Sequence, residues 1–525
     1  MKKFLSLCFA IIPWLVFCQT NIHLLSTYTF TGQRLSGCWH YRSSSGHEYG
    51  LIGAEQGIAF LDITQPNSPQ YLFQLPGNTS IWHEVKVSGD FAYAVSEGID
   101  TNGVKNGVQV MDLRYLPDSV PYHFWQGDGL IAGQLQMGHT ITVDDQYIYV
   151  NGHNINSLGR GVLICSIADP WNPTYVGAVT QNYSHDSYVR GDLLYSSEII
   201  AGQFAIYDIA NRAQPVLLGT QTTPGAFNHN SWLSDNGQVL YTTDERGGFP
   251  LASYDVSNPA NITQLDAYYT INFPSSEVHN VRVINDYLIN PSYGSQLTIV
   301  DATRPDNLIE IGNYTTGSFL CWDADPFLAS GAILATDMNA TAVYLFEPVY
   351  QRACYLEGLV SDSVTTFPLP GSSVTIIPTT VTKTSDNQGR FRTGTVNAGT
   401  YDVLVSRTGY TSKIVSGVSL QNGVVTSLNV ALAPDNIGID ETEFTNLLQV
   451  YPNPAARELT IMKKSSDAMQ LQLLDFSGKQ LLLESLLGEA GTEVMLPLND
   501  VSNGCYLLRL QTSEGVLFQR LVVAH

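Results

Sequence analysis

Ser253-Tyr254-Asp255-Val256-Ser257-Asn258-Pro259 and Ile299-Val300-Asp301-Ala302-Thr303-Arg304-Pro305 are the clearest copies of a segment that recurs along the first 350 residues. Each joins an apolar, β-favouring run to an Asp and then to a turn that ends in Pro. An Asp at a strand end can accept from the backbone of the following turn, and Pro cannot continue a central strand, so the segment reads as a strand with its stop signal. Further copies are Phe60-Leu61-Asp62, Val110-Met111-Asp112, Ile164-Cys165-Ser166, Ile206-Tyr207-Asp208 and Leu345-Phe346-Glu347. The period is about 42 to 54 residues. In several units a second Pro (Pro69, Pro173, Pro215) opens another strand, such as Tyr71 to Leu75. Each unit therefore reads as about four short strands.

Four-stranded units of this length stack radially as propeller blades, because one unit cannot bury both its faces. A β-solenoid is the rival arrangement, and the chain ends decide between them. The seventh unit runs into a new sequence type after Glu347 and lacks an outer strand. Leu24-Leu25-Ser26-Thr27-Tyr28 near the N-terminus resembles the outer strand of an interior unit, Ile311-Gly312-Asn313-Tyr314. An N-terminal strand that completes the last unit would close a ring and remove two exposed edges. The expectation is an all-β chain, a seven-bladed β-propeller over residues 20–350 followed by two small β-sandwich domains.

Composition agrees with strands: 28 Tyr and 44 Gly in 525 residues favour sheets and tight turns. A net charge of −22, spread along the chain, leaves no cationic cluster for nucleic acid or an anionic membrane surface. Lys2 and Lys3 precede the apolar run Phe4 to Phe17, so residues 1–18 read as a secretory signal, too short for a membrane anchor. Phe17 is a poor neighbour for lipid attachment at Cys18. No other run reaches transmembrane length. Seven cysteines, two of them in the signal, are too sparse for a disulfide framework. Cys38 and Cys321 share one slot in the first and seventh units, which closure makes neighbours, and form a candidate disulfide.

The Val/Ile-Asp-Ile/Val-Ser-x-Pro units resemble the LVIVD repeat. Residues 20–350 as a whole resemble the propeller of the choice-of-anchor B family, secreted bacterial proteins with interchangeable C-terminal attachment signals. That resemblance implies a fold and a location and carries no defined chemistry.

Six of the eleven histidines fall at one position of the repeat, the start of the innermost strand: His40, His83, His139, His185, His229 and His279, with Asp323 there in the seventh unit. In a propeller this position borders one mouth of the central channel. Neutral imidazoles with a carboxylate could hold a divalent metal there. Near the end of the next strand lies a second column, Glu55, Glu97, His153, Glu198, Asp244 with Glu245, and Asp337, candidate rim acids for metal-assisted or acid–base chemistry. The bland reading stands beside this one. His83 shares its parity with Val85 and Val87, so the imidazoles point with the apolar face, where a backbone partner would satisfy them. Trp39, Trp82, Trp232 and Trp322 offer stacking faces or packing between units.

Residues 353–433 change character. Gly358-Leu359-Val360, Pro368-Leu369-Pro370-Gly371, Asp386-Asn387-Gln388-Gly389-Arg390-Phe391 and Gly399-Thr400-Tyr401 punctuate alternating strands and resemble the carboxypeptidase regulatory-like β-sandwich. That resemblance implies a spacer or binding module without catalytic residues. A polar linker, 434–444, follows. Residues 445–525, with Tyr451-Pro452-Asn453-Pro454, Gly478-Lys479 and Gly504-Cys505-Tyr506, resemble the type A C-terminal sorting domain of the type IX secretion system. The resemblance implies that the secretion machinery is a partner and that the protein reaches the outer cell surface or the medium.

No Gly-x-Ser-x-Gly, His-Glu-x-x-His, Walker or Cys-x-x-Cys motif is present. The sequence therefore favours a non-enzymatic binding protein, engaged in adhesion or in capture of glycan or protein. The alternative is a metal-dependent polysaccharide lyase or hydrolase with its His-lined site at the channel mouth.

Overall fold

The computed structural model describes residues 20–270, 276–294, 297–315, 320–379, 381–435, 441–475, 478–512 and 516–525. The expected signal, residues 1–18, lies outside them. The chain is all-β, and it divides into two compact units: residues through Arg407 with Ser412–Leu432, and Thr408–Thr411 with Ala433–His525.

In the first unit, seven antiparallel sheets follow one another along the chain. The fifth is typical, with Asn228–Leu233, Val239–Asp244, Leu251–Asp255 and Thr263–Tyr268 paired in sequence order. The recurring Asp does what its position suggests. The backbone N–H two residues later donates to it at Asp62 (2.9 Å), Asp208 (2.8 Å), Asp255 (2.9 Å) and Asp301 (3.0 Å). Each such Asp ends the third strand of its sheet, where it replaces ladder bonds that the turn cannot make. The register also shifts at one place in five sheets, between Phe60/Leu61, Ile164/Cys165, Ile206/Tyr207, Ser253/Tyr254 and Ile299/Val300. This repeated bulge strengthens the local twist of the outer strands.

The seventh sheet takes its fourth strand from the opposite end of the chain. Ile22–Thr29 pairs antiparallel with Ala342–Pro348, placing Tyr28 opposite Val343 and Ile22 opposite Pro348. Ile22 is fully buried in a core shared by the sixth and seventh sheets, with Ile299, Ile311 and Phe346. First strands of consecutive sheets pack side by side, as Leu35–Arg42 does against His83–Ser88. Cys321–Asp325 of the seventh sheet packs in turn against Leu35–Arg42 of the first. Glu48 of the first sheet accepts from the backbone of Ala329 (2.5 Å) and Ser330 (3.0 Å), and Asp325 accepts from the His40 backbone (2.7 Å). Between the sheets lie apolar layers such as Tyr195, Phe204, Leu240 and Tyr254.

The candidate disulfide is not formed. Cys38 and Cys321 are both buried free thiols. The Cys38 thiol is directed at the Leu334 carbonyl and that of Cys321 at the Asp323 carbonyl, each 3.8 Å away. Burial raises both thiol pKa values, which keeps the thiols protonated and poor in nucleophilic character.

The same unit carries a sandwich. Cys354–Asp362 pairs with Arg390–Thr395 and runs parallel to Val425–Ser427 and Val430–Leu432. The facing sheet orders Thr382–Thr384, Ser373–Ile377, Gly399–Arg407 and Tyr410–Leu420. The join to the sixth sheet is built into the core. Ala353 and Tyr355 belong to the cluster around Ile299, and buried Asp301 accepts from the Ala353 N–H (2.7 Å) and the Arg352 guanidinium (3.1 Å). Arg304 meets Glu357 at 2.7 Å and Arg392 meets Asp306 at 3.1 Å.

The second unit packs Leu448–Tyr451, Glu458–Lys463 and Glu493–Pro497 in one sheet, and Gln480–Leu486, Met469–Leu474, Gly504–Gln511 and Val516–Val523 in another. The expected linker, 434–444, overlaps a helix at Glu441–Leu447, and Phe444 is fully buried with Leu448, Leu459 and Leu508. A lone aromatic in a polar segment was the signal that ordered structure begins there. Buried Lys463 is satisfied by the carbonyls of Asp467 (2.8 Å), Leu486 (3.3 Å) and Gly488 (2.7 Å). Among the described residues no helix is long and apolar enough to cross a membrane.

Candidate functional site

Backbone pairing places the histidines of sheets three to six. The N–H of His139 donates to Asn151 (2.8 Å), that of His185 to Ser197 (2.8 Å) and that of His279 to Pro291 (3.0 Å). Each histidine thus opens the first strand of its sheet against the end of the second. Successive first strands lie side by side, so the rings form a staircase, with centroids 4.1 Å apart from His139 to His185 and 4.2 Å for the next two steps, His185 to His229 and His229 to His279.

The rings are oriented by one repeated bond. Nδ1 of His185 donates to the His229 carbonyl (3.1 Å), Nδ1 of His229 to the His279 carbonyl (2.8 Å), and Nδ1 of His279 to the Trp322 carbonyl (2.5 Å). A carbonyl only accepts, so the Nδ1 protons are fixed and Nε2 is the lone-pair nitrogen of each neutral ring. The rings of His83, His185, His229 and His279 stay neutral. Burial holds His279 at about 3 and His83 at about 4, and burial with neighbouring imidazoles holds His185 and His229 well below the usual histidine value.

His83, His139, His185, His229 and His279 line one cavity of about 110 Å³, with Glu245, Glu84, Asp186, Arg282, Trp82 and Trp322. The Glu245 carboxylate is 3.8 Å from Nε2 of His229 and 3.9 Å from Nε2 of His279. Burial pushes its pKa up to about 7. His185, His229 and Glu245 offer donor atoms that all lie within 4.8 Å of one another. Trp82 is partly exposed at 37%, and Tyr293 stacks on His279 at 4.4 Å.

A buried charge network adjoins the cavity. Arg282 pairs with Asp323 at 2.9 Å and lies 5.0 Å over the Trp232 ring. Lys86 bonds Glu84 and lies 4.5 Å over Trp39. Asp186 accepts from Asn230 at 2.6 Å.

Other sequence candidates lie elsewhere. His40 does not line the cavity; its Nδ1 bonds Asp325 at 2.7 Å, and it sits mid-strand opposite Gly50. Asp323 serves Arg282 and Asn280. In the seventh sheet the bulge between Cys321 and Asp323 gives the histidine slot to Trp322, just as the bulge between Asn228 and Asn230 presents His229. Of the second column Glu245 reaches His229 and His279, and Glu97 lies 3.0 Å from His139 Nδ1, a hydrogen bond that lowers the Glu97 pKa. Glu55 accepts from the Arg34 N–H (3.3 Å), Glu198 from Asn182 (2.7 Å) and Tyr207 (2.9 Å), Asp244 from the Gly225 N–H (2.7 Å), and Asp337 from the Leu320 N–H (2.9 Å). These four acids anchor the loop that leads into the first strand of their own sheet. Glu245, paired with Asp244 in that column, is the one of the two that enters the cavity.

Residues 355–433 match the family model described as a carboxypeptidase regulatory-like domain, and residues 449–524 match the secretion system C-terminal sorting domain. No curated protein matches the chain. The sorting domain marks a protein that engages the type IX secretion machinery and is exported to the cell surface or the extracellular space.

Proposed function

We propose that this is a surface-displayed or released binding protein in which residues 20–350 form a seven-bladed β-propeller of the LVIVD kind, working on a sandwich spacer. The seven consecutive sheets, their side-by-side first strands and the N-terminal strand in the seventh sheet support the ring. The observation that carries the binding reading is the convergence of His83, His139, His185, His229 and His279, from five different sheets, on one cavity with Glu245. A volume of about 110 Å³ has room for several waters, an ion or a polar substituent of a larger ligand. The partner is therefore a glycan or protein that inserts one such group and rests its bulk on the exposed Trp82 face. Arrays of bacterial and host glycans and of extracellular proteins, probed with the intact chain, should yield a ligand whose capture is lost in Trp82→Ala. Silence across both arrays sinks the reading. The lyase or hydrolase alternative draws on Glu245, whose carboxyl at about 7 would change protonation near neutrality. Polysaccharide turnover abolished by Glu245→Gln would replace binding with catalysis.

A further inference from the structure

Nε2 of His279 is buried and has no hydrogen-bond partner, although its Nδ1 is fully used. Leaving such an acceptor unsatisfied destabilises the fold. Glu245 does not satisfy it, because 3.9 Å is too long for a hydrogen bond. The same holds at His229, 3.8 Å from the other carboxylate oxygen. These spacings have another meaning. Two ligands about 2.1 Å from a tetrahedral ion lie about 3.4 Å apart, and one ion can bridge donors up to about 4.2 Å apart. Both His–Glu separations fall inside that limit. From the 4.8 Å bound on the triad with His185, tetrahedral spacing calls for a closure of at most about 1.4 Å, which side-chain torsions supply.

The surroundings of the rings point the same way. Metal-bound imidazoles characteristically donate their other N–H to a carbonyl or carboxylate, which fixes tautomer and aim. Here three consecutive rings do so through Nδ1, with no metal needed to hold the pose. His153, outside the cavity, uses the opposite polarity: its Nδ1 accepts from the Ile155 N–H, so it is not oriented by a carbonyl as these three rings are. Arg282, the nearby cation, already has its own counter-ion in Asp323.

We propose that His185, His229 and Glu245, completed by His279, bind one divalent transition-metal ion of the zinc type. Imidazole donors select Zn²⁺, Co²⁺, Ni²⁺ or Cu²⁺ over Mg²⁺ and Ca²⁺, which prefer all-oxygen shells. The inference deepens the binding reading above and rests on the same cavity: an ion there gives an incoming carboxylate or hydroxyl a direct anchor.

The test uses the full chain, free of any polyhistidine tag, stripped with chelator and titrated with Co²⁺ and Zn²⁺. One ion per chain is expected, with a tetrahedral or five-coordinate d–d spectrum for Co²⁺ and a rise in melting temperature. Glu245→Gln, which keeps shape, and His229→Gln should each weaken binding by about 100-fold, while exposed His47→Gln leaves it unchanged. Absence of a stoichiometric ion, or equal affinity in a folded Glu245→Gln chain, overturns the assignment. The titration needs no partner molecule, so capture of a glycan or protein by a chain that takes up no ion sinks the metal site and spares the binding reading. Silent arrays with a bound ion do the reverse.

Discussion

Replacing Arg282 by Met keeps the apolar stem and removes a charge that the fold has arranged several acids around. The guanidinium is 3% exposed and pairs with Asp323, itself fully buried, and Glu84 and Asp186 lie close enough to hold it charged. Breaking one side of a buried pair leaves the other charge uncompensated and costs about 3–5 kcal/mol. For a compact unit of about 410 residues the unfolding entropy is about 0.9 kcal/mol/K, so the melting temperature should fall by about 3–6 °C. Calorimetry on the intact chain reads this as a shift of one transition. The double variant Arg282→Met/Asp323→Asn removes both partners and should recover at least half of the loss. A single-variant shift within about 1 °C, or a double variant no better than the single, would refute the view that charge compensation holds these strands together.

Two further outcomes are expected. Burial holds His153 at about 4, below its unfolded value of 6.5, and its Nδ1 accepts from Ile155, so the folded state resists a proton that the unfolded state takes up. The stability present above pH 6.5 is therefore lost as pH falls toward 4, by about 3 kcal/mol for this residue. His153→Gln should flatten the melting-temperature profile over that window, and parallel profiles would argue against it. Deleting residues 449–524 should retain the chain inside the outer membrane, read by protease accessibility on whole cells; undiminished surface exposure would contradict the sorting role.

The sheets were legible because their punctuation is local. An Asp that receives the N–H two residues on, as at Asp208 and Asp255, needs no distant partner, and repetition makes it visible. The sorting domain and the carboxypeptidase regulatory-like domain were legible through ordered motifs. The site was legible as a register of histidines and an acid column, but not which acid of the Asp244-Glu245 pair enters it. Asp244 aligns with Glu198 and Asp337 and shares their loop-anchoring task, whereas Glu245 follows the strand end and leaves the register. Glu84 and Lys86 alternate with Val85 and Val87 like a solvent face, and only neighbouring sheets turn that face into an interior. His40 misled because a register shift between Leu35 and Cys38 slides its strand relative to the others, which no spacing within the Trp39-His40 pair reveals.

The pairing of Ile22 with Pro348 sets an order of events. Joining positions so distant costs about 5 kcal/mol in chain entropy, so it follows the assembly of the sheets between them rather than nucleating it. Synthesis runs from the N-terminus, and the sorting signal at 449–524 is made only after both halves of that pair exist. The export machinery therefore meets a cargo able to have latched already, and a chain stalled before Pro348 has neither the latch nor the address.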